Sequence, residues 1–111
     1  MANTEMNYVD GDCRMFTQYV TASQLSSGSI TFQNTGISKP KGAMIVADIS
    51  SEGMFAVNID FENNKMIRDA HGNMGLVLTM PIPFTFNGDT VTYTTFNASW
   101  RCNTRITIWG E

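Results

Sequence analysis

An antiparallel β-sandwich of about seven or eight short strands is the fold this sequence predicts, on three observations. Apolar residues recur with a period of two in most segments. Turn-forming clusters punctuate the chain at roughly eight- to twelve-residue intervals. No window carries the i, i+3, i+4, i+7 apolar stripe of an amphipathic helix. At 111 residues the chain fits one domain, residues 1–111.

Taken in order, the N-terminal stretch "MANTEMNYVDGD" is polar and acidic, and residues 1–12 read as an arm. "CRMFTQYV" is the first strand. "SQLSSGS", Ser23 to Ser29, reads as a hinge. "SITFQN" puts Ile30 and Phe32 on one face. "MIVADIS" is a more continuous apolar run, as in a strand flanked on both sides. "MFAVNIDF" is the cleanest alternation: Phe55, Val57, Ile59 and Phe61 share one face, and Met54, Ala56, Asn58 and Asp60 the other. The "SEG" between these two runs predicts an antiparallel hairpin. Glu62 to Asn73 is a long polar loop with at most one helical turn. "GLVLTM" is a similar continuous run and reads as another strand flanked on both sides, and Pro81 and Pro83 place "MPIPF" at an edge or in a crossing loop. "TVTYTTFN" sets Val91 and Tyr93 against Thr92 and Thr94. "RITIW" points Ile106 and Ile108 inward, with Arg105, Thr107 and Trp109 outward. So strand-prone a segment predicts pairing on one or both sides.

The composition excludes several function classes. Charged residues make up 15% of the chain, against about 25% in an average domain. Thirteen Thr and ten Asn supply a neutral polar surface instead. Seven Lys and Arg are scattered, the net charge is −3, and no basic patch forms, which predicts no nucleic-acid partner. The apolar runs fall well short of the ~20 residues of a membrane helix, which predicts no membrane insertion. The N-terminus lacks a basic start followed by an apolar block, so no secretory leader is expected and the "NAS" sequon at Asn97 is expected to be idle. Cys13 and Cys102 read as reduced thiols in that setting, although a bond between them would close a long loop.

Candidate chemistry is sparse. His71, the single histidine, sits in "DAHGN" beside Asp69 with no nucleophile elbow in the chain, so no catalytic residue is assigned. "DFENNKMIRDAH" offers Asp60, Glu62, Asn64 and Asp69 at spacings superficially like a calcium loop. Lys65 stands where an EF-hand needs Gly, however, and His71 where it needs the bidentate Glu. No metal and no cofactor are expected. Two clusters remain. Asn63, Asn64, Arg68, Asp69 and His71, with Trp100 as a stacking face, have the amides, planar charges and aromatic ring that suit sugar hydroxyls. Arg101, Arg105 and Trp109 combine the residue types favoured at subunit contacts.

From Ser26 the order "GSITFQNTGISKPKGAMIVADIS", "GMFAVNIDF", a polar middle and "RITIWGE" resembles the small β-sandwich modules of phage tail fibres and H-type lectins. Phe32, Pro40, Ile45, Val46, Trp109 and Gly110 take the corresponding places, and the resemblance spans residues 26–111. The last strand reads Ile-Thr-Ile-Trp-Gly where those modules carry W-x-A-x-G. The resemblance implies a jelly-roll or H-type-lectin-like sandwich, a homotrimer, other virion proteins as partners and host surface glycan as a possible target. The function expected is that of a phage virion subunit (tail-tip, fibre or head decoration), located in the virion and not an enzyme. A carbohydrate-binding module is the alternative, and a small β-barrel enzyme a distant second one.

Overall fold

The computed structural model describes residues 7–10, 13–49, 53–70, 73–95 and 100–111. They form ten strands: β1 (Asn7–Asp10), β2 (Cys13–Val20), β3 (Ser29–Phe32), β4 (Pro40–Ile49), β5 (Gly53–Asp60), β6 (Lys65–Ala70), β7 (Asn73–Leu78), β8 (Phe84–Asn87), β9 (Thr90–Thr94) and β10 (Thr104–Gly110). Every pairing is antiparallel. One sheet has seven strands in the order β1-β2-β10-β4-β5-β6-β7, and the other has three in the order β3-β9-β8.

The two sheets pack through their inner faces, as an all-β sandwich requires. The large sheet contributes Phe16, Ile106, Ile108, Ala43, Ile45, Val57, Ile59 and Met66, and the small sheet Phe32, Val91, Tyr93 and Phe84. Ring contacts fix which strands overlie which. Phe16 on β2 meets Phe32 on β3 at 5.4 Å between centroids. Phe61, just past β5, meets Phe86 on β8 at 5.5 Å. So β3 covers the β2 flank and β8 covers the β5–β6 flank.

The strand-prone terminal segment lies inside the large sheet, with β2 on one side and β4 on the other. Its last residue is tied as well: the Ser38 and Lys39 amides donate to the Glu111 carbonyl at 2.9 and 2.8 Å, and the Glu111 amide donates back to Lys39 at 2.9 Å. The buried pattern Thr104, Ile106, Ile108, Gly110 agrees with the inward face expected for Ile106 and Ile108.

Four expectations are corrected. Asn7–Asp10, expected as part of an arm, pairs with β2 as β1. The stretch expected to be a hinge is a capped turn. The Thr21 amide donates to Gln24 Oε1 at 2.8 Å and the Gln24 amide to Thr21 Oγ1 at 3.3 Å, a reciprocal capping box. Leu25 in that turn is completely buried. The polar loop from Glu62 onward is a tight turn followed by a strand. Met66 is buried and Ile67 exposed, so β6 alternates despite its charges. "GLVLTM" supplies β7, which is an edge strand with Val77 exposed. Residues 79–83, the proline segment, cross from the large sheet to the small one as expected.

Cys13 and Cys102 are both free thiols. They lie at opposite ends of the β2–β10 ladder, where Arg14 pairs with Gly110 and Val20 with Thr104. Eight residues of strand separate those ends by roughly 26 Å, far beyond the ~7 Å that a disulfide spans between Cα atoms.

Candidate functional site

The residues expected to bind sugar do not converge. Asn63 and Asn64 form the β5–β6 turn, and both are spent on it. The Asp60 carboxylate accepts Asn63 Nδ2–H at 2.6 Å and the Glu62 and Asn63 amides at 3.1 and 3.3 Å. Those bonds, the Asn63 side chain first, hold the Asp60 pKa below its ordinary value. Asn64 adopts φ of 52°, the left-handed geometry that Asn tolerates at a turn. Arg68 stands four residues farther along β6, roughly 13 Å away. Its guanidinium lies 5.8 Å from the centroid of the Trp100 ring. Trp100 is 6% exposed, so it is a core residue and offers no open stacking face. The Asp69 side chain and His71 lie outside the described residues.

The three residues expected at a subunit contact separate in the same way. The Arg101 guanidinium folds back onto the capped turn, donating to the Ser26 carbonyl at 3.3 Å and lying against Gly28. It therefore anchors a loop. Arg105 and Trp109 do share a surface, the outward side of the seven-stranded sheet.

That surface is the most distinctive feature of the molecule. The ladders align its outward positions in rows. One row runs Met15, Trp109, Gly42, Asp60, Lys65 across β2, β10, β4, β5 and β6. The next runs Thr17, Thr107, Met44, Asn58, Ile67, Val77. A third runs Tyr19, Arg105, Val46, Ala56, Asp69. Charges stand at the end of the first row, the second row carries none, and the third carries Arg105 and, at its β6 end, Asp69. Tyr19 is 53% exposed, Val77 56% and Ile67 37%. Met15, Met44, Val46 and Trp109 are half-buried.

Trp109 lies flat because of its neighbour. A Cβ built on Gly42 would come within 2.5 Å of Trp109 Cε2 and Cζ2, so the indole rests on the bare backbone of β4. At the centre, Thr17 and Thr107 close a cross-strand hydroxyl pair at 3.3 Å. The result is a plane whose middle row is uncharged, with its charges confined to the first and third rows. Six strands at ~4.8 Å spacing and about five residues of ~3.3 Å rise give it roughly 400 Å² in projection. The exposed apolar side chains within it, Tyr19, Ile67 and Val77, are of the kind that gathers at contact sites.

The opposite surface of the sandwich differs. Thr31, Thr92 and Thr85 align across the three-stranded sheet, with Thr31 and Thr92 hydroxyls 3.1 Å apart. Ser29 and Thr94 form the next row. No large apolar side chain points outward there.

A pocket lies at the edge of that small sheet, where the chain crosses over from β7. Met80, Pro81, Ile82, Pro83, Thr94 and Thr95 line a half-open recess of about 230 Å³. The Thr94 amide donates to the Pro83 carbonyl at 2.8 Å, which fixes the crossing segment against β9.

Sequence reasoning missed Tyr19, Met44, Val46, Ile67 and Val77 as surface residues. Alternation alone could have placed Tyr19 opposite Phe16 and Val20 on β2. It could not say which sheet lacks a cover. Among the described residues no group of three or more His, Cys, Asp or Glu is arranged to hold a metal ion. No family model matches the chain, and neither does any curated protein or solved structure, so the fold and its surfaces rest on the residues themselves.

Proposed function

We propose that this protein is a structural subunit that works by association with copies of itself and with neighbouring proteins through the outward side of the seven-stranded sheet. The observation that carries the proposal is the character of that plane: exposed Tyr19, Ile67 and Val77 and half-buried Met44, Val46 and Trp109, with no charge in the middle row and Arg105 and Asp69 in the third. An interface core has this character, poor in charge and rich in aromatic residues and Met, with Arg as the tolerated cation. Exposing it to water as a monomer costs the free energy that burial against a neighbour recovers.

The resemblance of residues 26–111 to fibre modules extends the proposal to the particle: a phage virion, in which the subunit belongs to a fibre, a tail tip or a head decoration, and in which contact with the host surface follows from that position. No reaction is assigned to it.

The test is mass in solution, by sedimentation equilibrium across a wide dilution range. An oligomer that persists on dilution is the expected result, with a trimer as the closed form. A strictly monomeric chain at every concentration overturns the proposal.

A further inference from the structure

The plane just described is too small to hold two copies by itself. A standard stable interface takes about 800 Å² of accessible surface from each partner, and the plane spans only six strands by about five residues, with charged residues in two of its three rows. A face-to-face pair would also set Arg105 of each copy into the same apolar contact. Some further anchor is needed, and the small-sheet side supplies a receptor for one.

We infer, building on the association proposed above, that the partner is a second copy of this chain joined head to tail, with Tyr19 of one copy seated in the pocket of the next. The pocket's size selects the kind of guest. At about 230 Å³ it falls below the ~300–1,000 Å³ of typical small-molecule sites and suits one large side chain. Its lining selects the chemistry. Met80, Pro81, Ile82 and Pro83 give apolar walls, and Thr94 and Thr95 give a hydroxyl edge. Thr95 Oγ1 donates to the Gly28 carbonyl at 3.2 Å, so its lone pairs are left to accept an O–H. A phenol ring, apolar in body and polar at its tip, matches that lining. Among the described residues, the exposed large hydrophobic side chains are Tyr19, Ile67, Val77 and Met80, and Tyr19 alone of these is aromatic with a hydroxyl.

The fold forbids the contact within one molecule. Tyr19 faces outward from β2, on the flank that β3 covers. The pocket borders the start of β8, on the flank above β5 and β6. Knob and pocket therefore occupy opposite layers and opposite flanks, so the contact is heterologous. Repeated around an axis it closes a ring, and three copies are a small closed solution.

Mixing two variants tests this. Tyr19→Ala removes the knob and keeps the pocket; Thr94→Trp, at an exposed position, blocks the pocket and keeps the knob. Met80→Lys is a second pocket variant should the first fold poorly. Each variant alone is expected to associate at least about tenfold more weakly than the wild-type chain, the size of a buried aromatic hot spot. An equimolar mixture is expected to form a 1:1 dimer and stop there, because one intact knob meets one intact pocket. Variants that keep the wild-type mass, or a mixture that stays monomeric, overturn the knob-and-pocket contact while leaving self-association itself standing. A wild-type chain that is monomeric throughout overturns both.

Discussion

The outward side of the seven-stranded sheet and the outward side of the three-stranded sheet obey the same alternation, yet they are filled with different residues. On the small sheet the outward places hold Thr31, Thr85, Thr92 and Thr94 with Ser29. On the large sheet Thr17, Thr107 and Asn58 share the outward places with Met44, Val46, Ile67, Val77, Tyr19 and Trp109. Thr is β-branched and strand-prone, so it satisfies the pleat while offering water a hydroxyl. The small sheet shows that this solution was open to the molecule. Apolar residues at equivalent places on the large sheet are therefore not demanded by the fold. They report on what covers that side.

The sharpest way to break this comparison is to put one charge at the middle of each plane. Val46→Asp lies on β4, the central strand of the large sheet, and Thr92→Asp lies on β9, the central strand of the small one. Both positions are half-buried, so the local cost to the strand is similar. If the large sheet is covered by a neighbour, Val46→Asp forces a carboxylate into a desolvated contact and weakens association by several kcal/mol, about a hundredfold or more. Thr92→Asp, two residues from the pocket wall at Thr94, is expected to weaken association by less than about tenfold. Sedimentation of the two variants side by side decides it, and equal behaviour removes the distinction between the faces.

A second variant asks whether the large plane depends on its smoothness. Gly42→Ala inserts a Cβ where the Trp109 indole now rests, 2.5 Å from Cε2 and Cζ2 and 2.7 Å from Nε1. The ring must lift off the strand, and overpacking of this kind costs about 2 kcal/mol. The expected readouts are a lower midpoint in denaturant and a red-shifted Trp emission. Gly88, in the β8–β9 turn of the small sheet, is the contrasting glycine. Its φ is 62°, and a Cβ there would meet nothing within 4 Å. Gly88→Asn is expected to cost less than about 1 kcal/mol, because Asn tolerates the left-handed region.

The inner half of both sheets was legible in the sequence and the outer half was not. Val57 and Ile59, Val91 and Tyr93, and Ile106 and Ile108 declare themselves by alternation, because burial leaves one residue type in every second place. β6 escaped because its outward places carry Lys65 and Ile67 and its inward ones Met66 and Arg68, which blurs the period. The sequence points to Trp100 as a partly buried stacking face and to Arg101 as a contact residue. Both look like surface chemistry in one dimension, and only the close approach of the 100–103 segment to Gly28, Ser26 and Arg68 shows that they close the end of the sandwich. Nothing in the order of residues tells which sheet is wide and which is narrow. The uncovered plane and the pocket at the crossing segment both depend on that partition.

Both sheets also turn polar groups inward. The large sheet turns in Gln18, Arg68 and Thr104, and the small sheet turns in Tyr93, whose hydroxyl is buried and has no hydrogen-bond partner among the described residues. Burial, with a smaller contribution from Cys102, pushes its ionisation well above the ordinary tyrosine value near 10. In the unfolded chain Tyr93 ionises at about that ordinary value, so above roughly pH 10 the unfolded state holds fewer protons than the folded one and stability falls as pH rises. The contribution is intact below that pH and is lost progressively above it. Tyr93→Phe removes both the stranded hydroxyl and the titration. It is expected to raise stability by about 1 kcal/mol at neutral pH, since an unsatisfied buried donor costs that much or more. Relative to wild type it is also expected to flatten the decline above pH 10. Denaturant midpoints from pH 7 to pH 11 measure both effects. A loss of stability at neutral pH would mean that the hydroxyl has a partner, and that the small sheet's inner face is as well satisfied as its row of outward threonines.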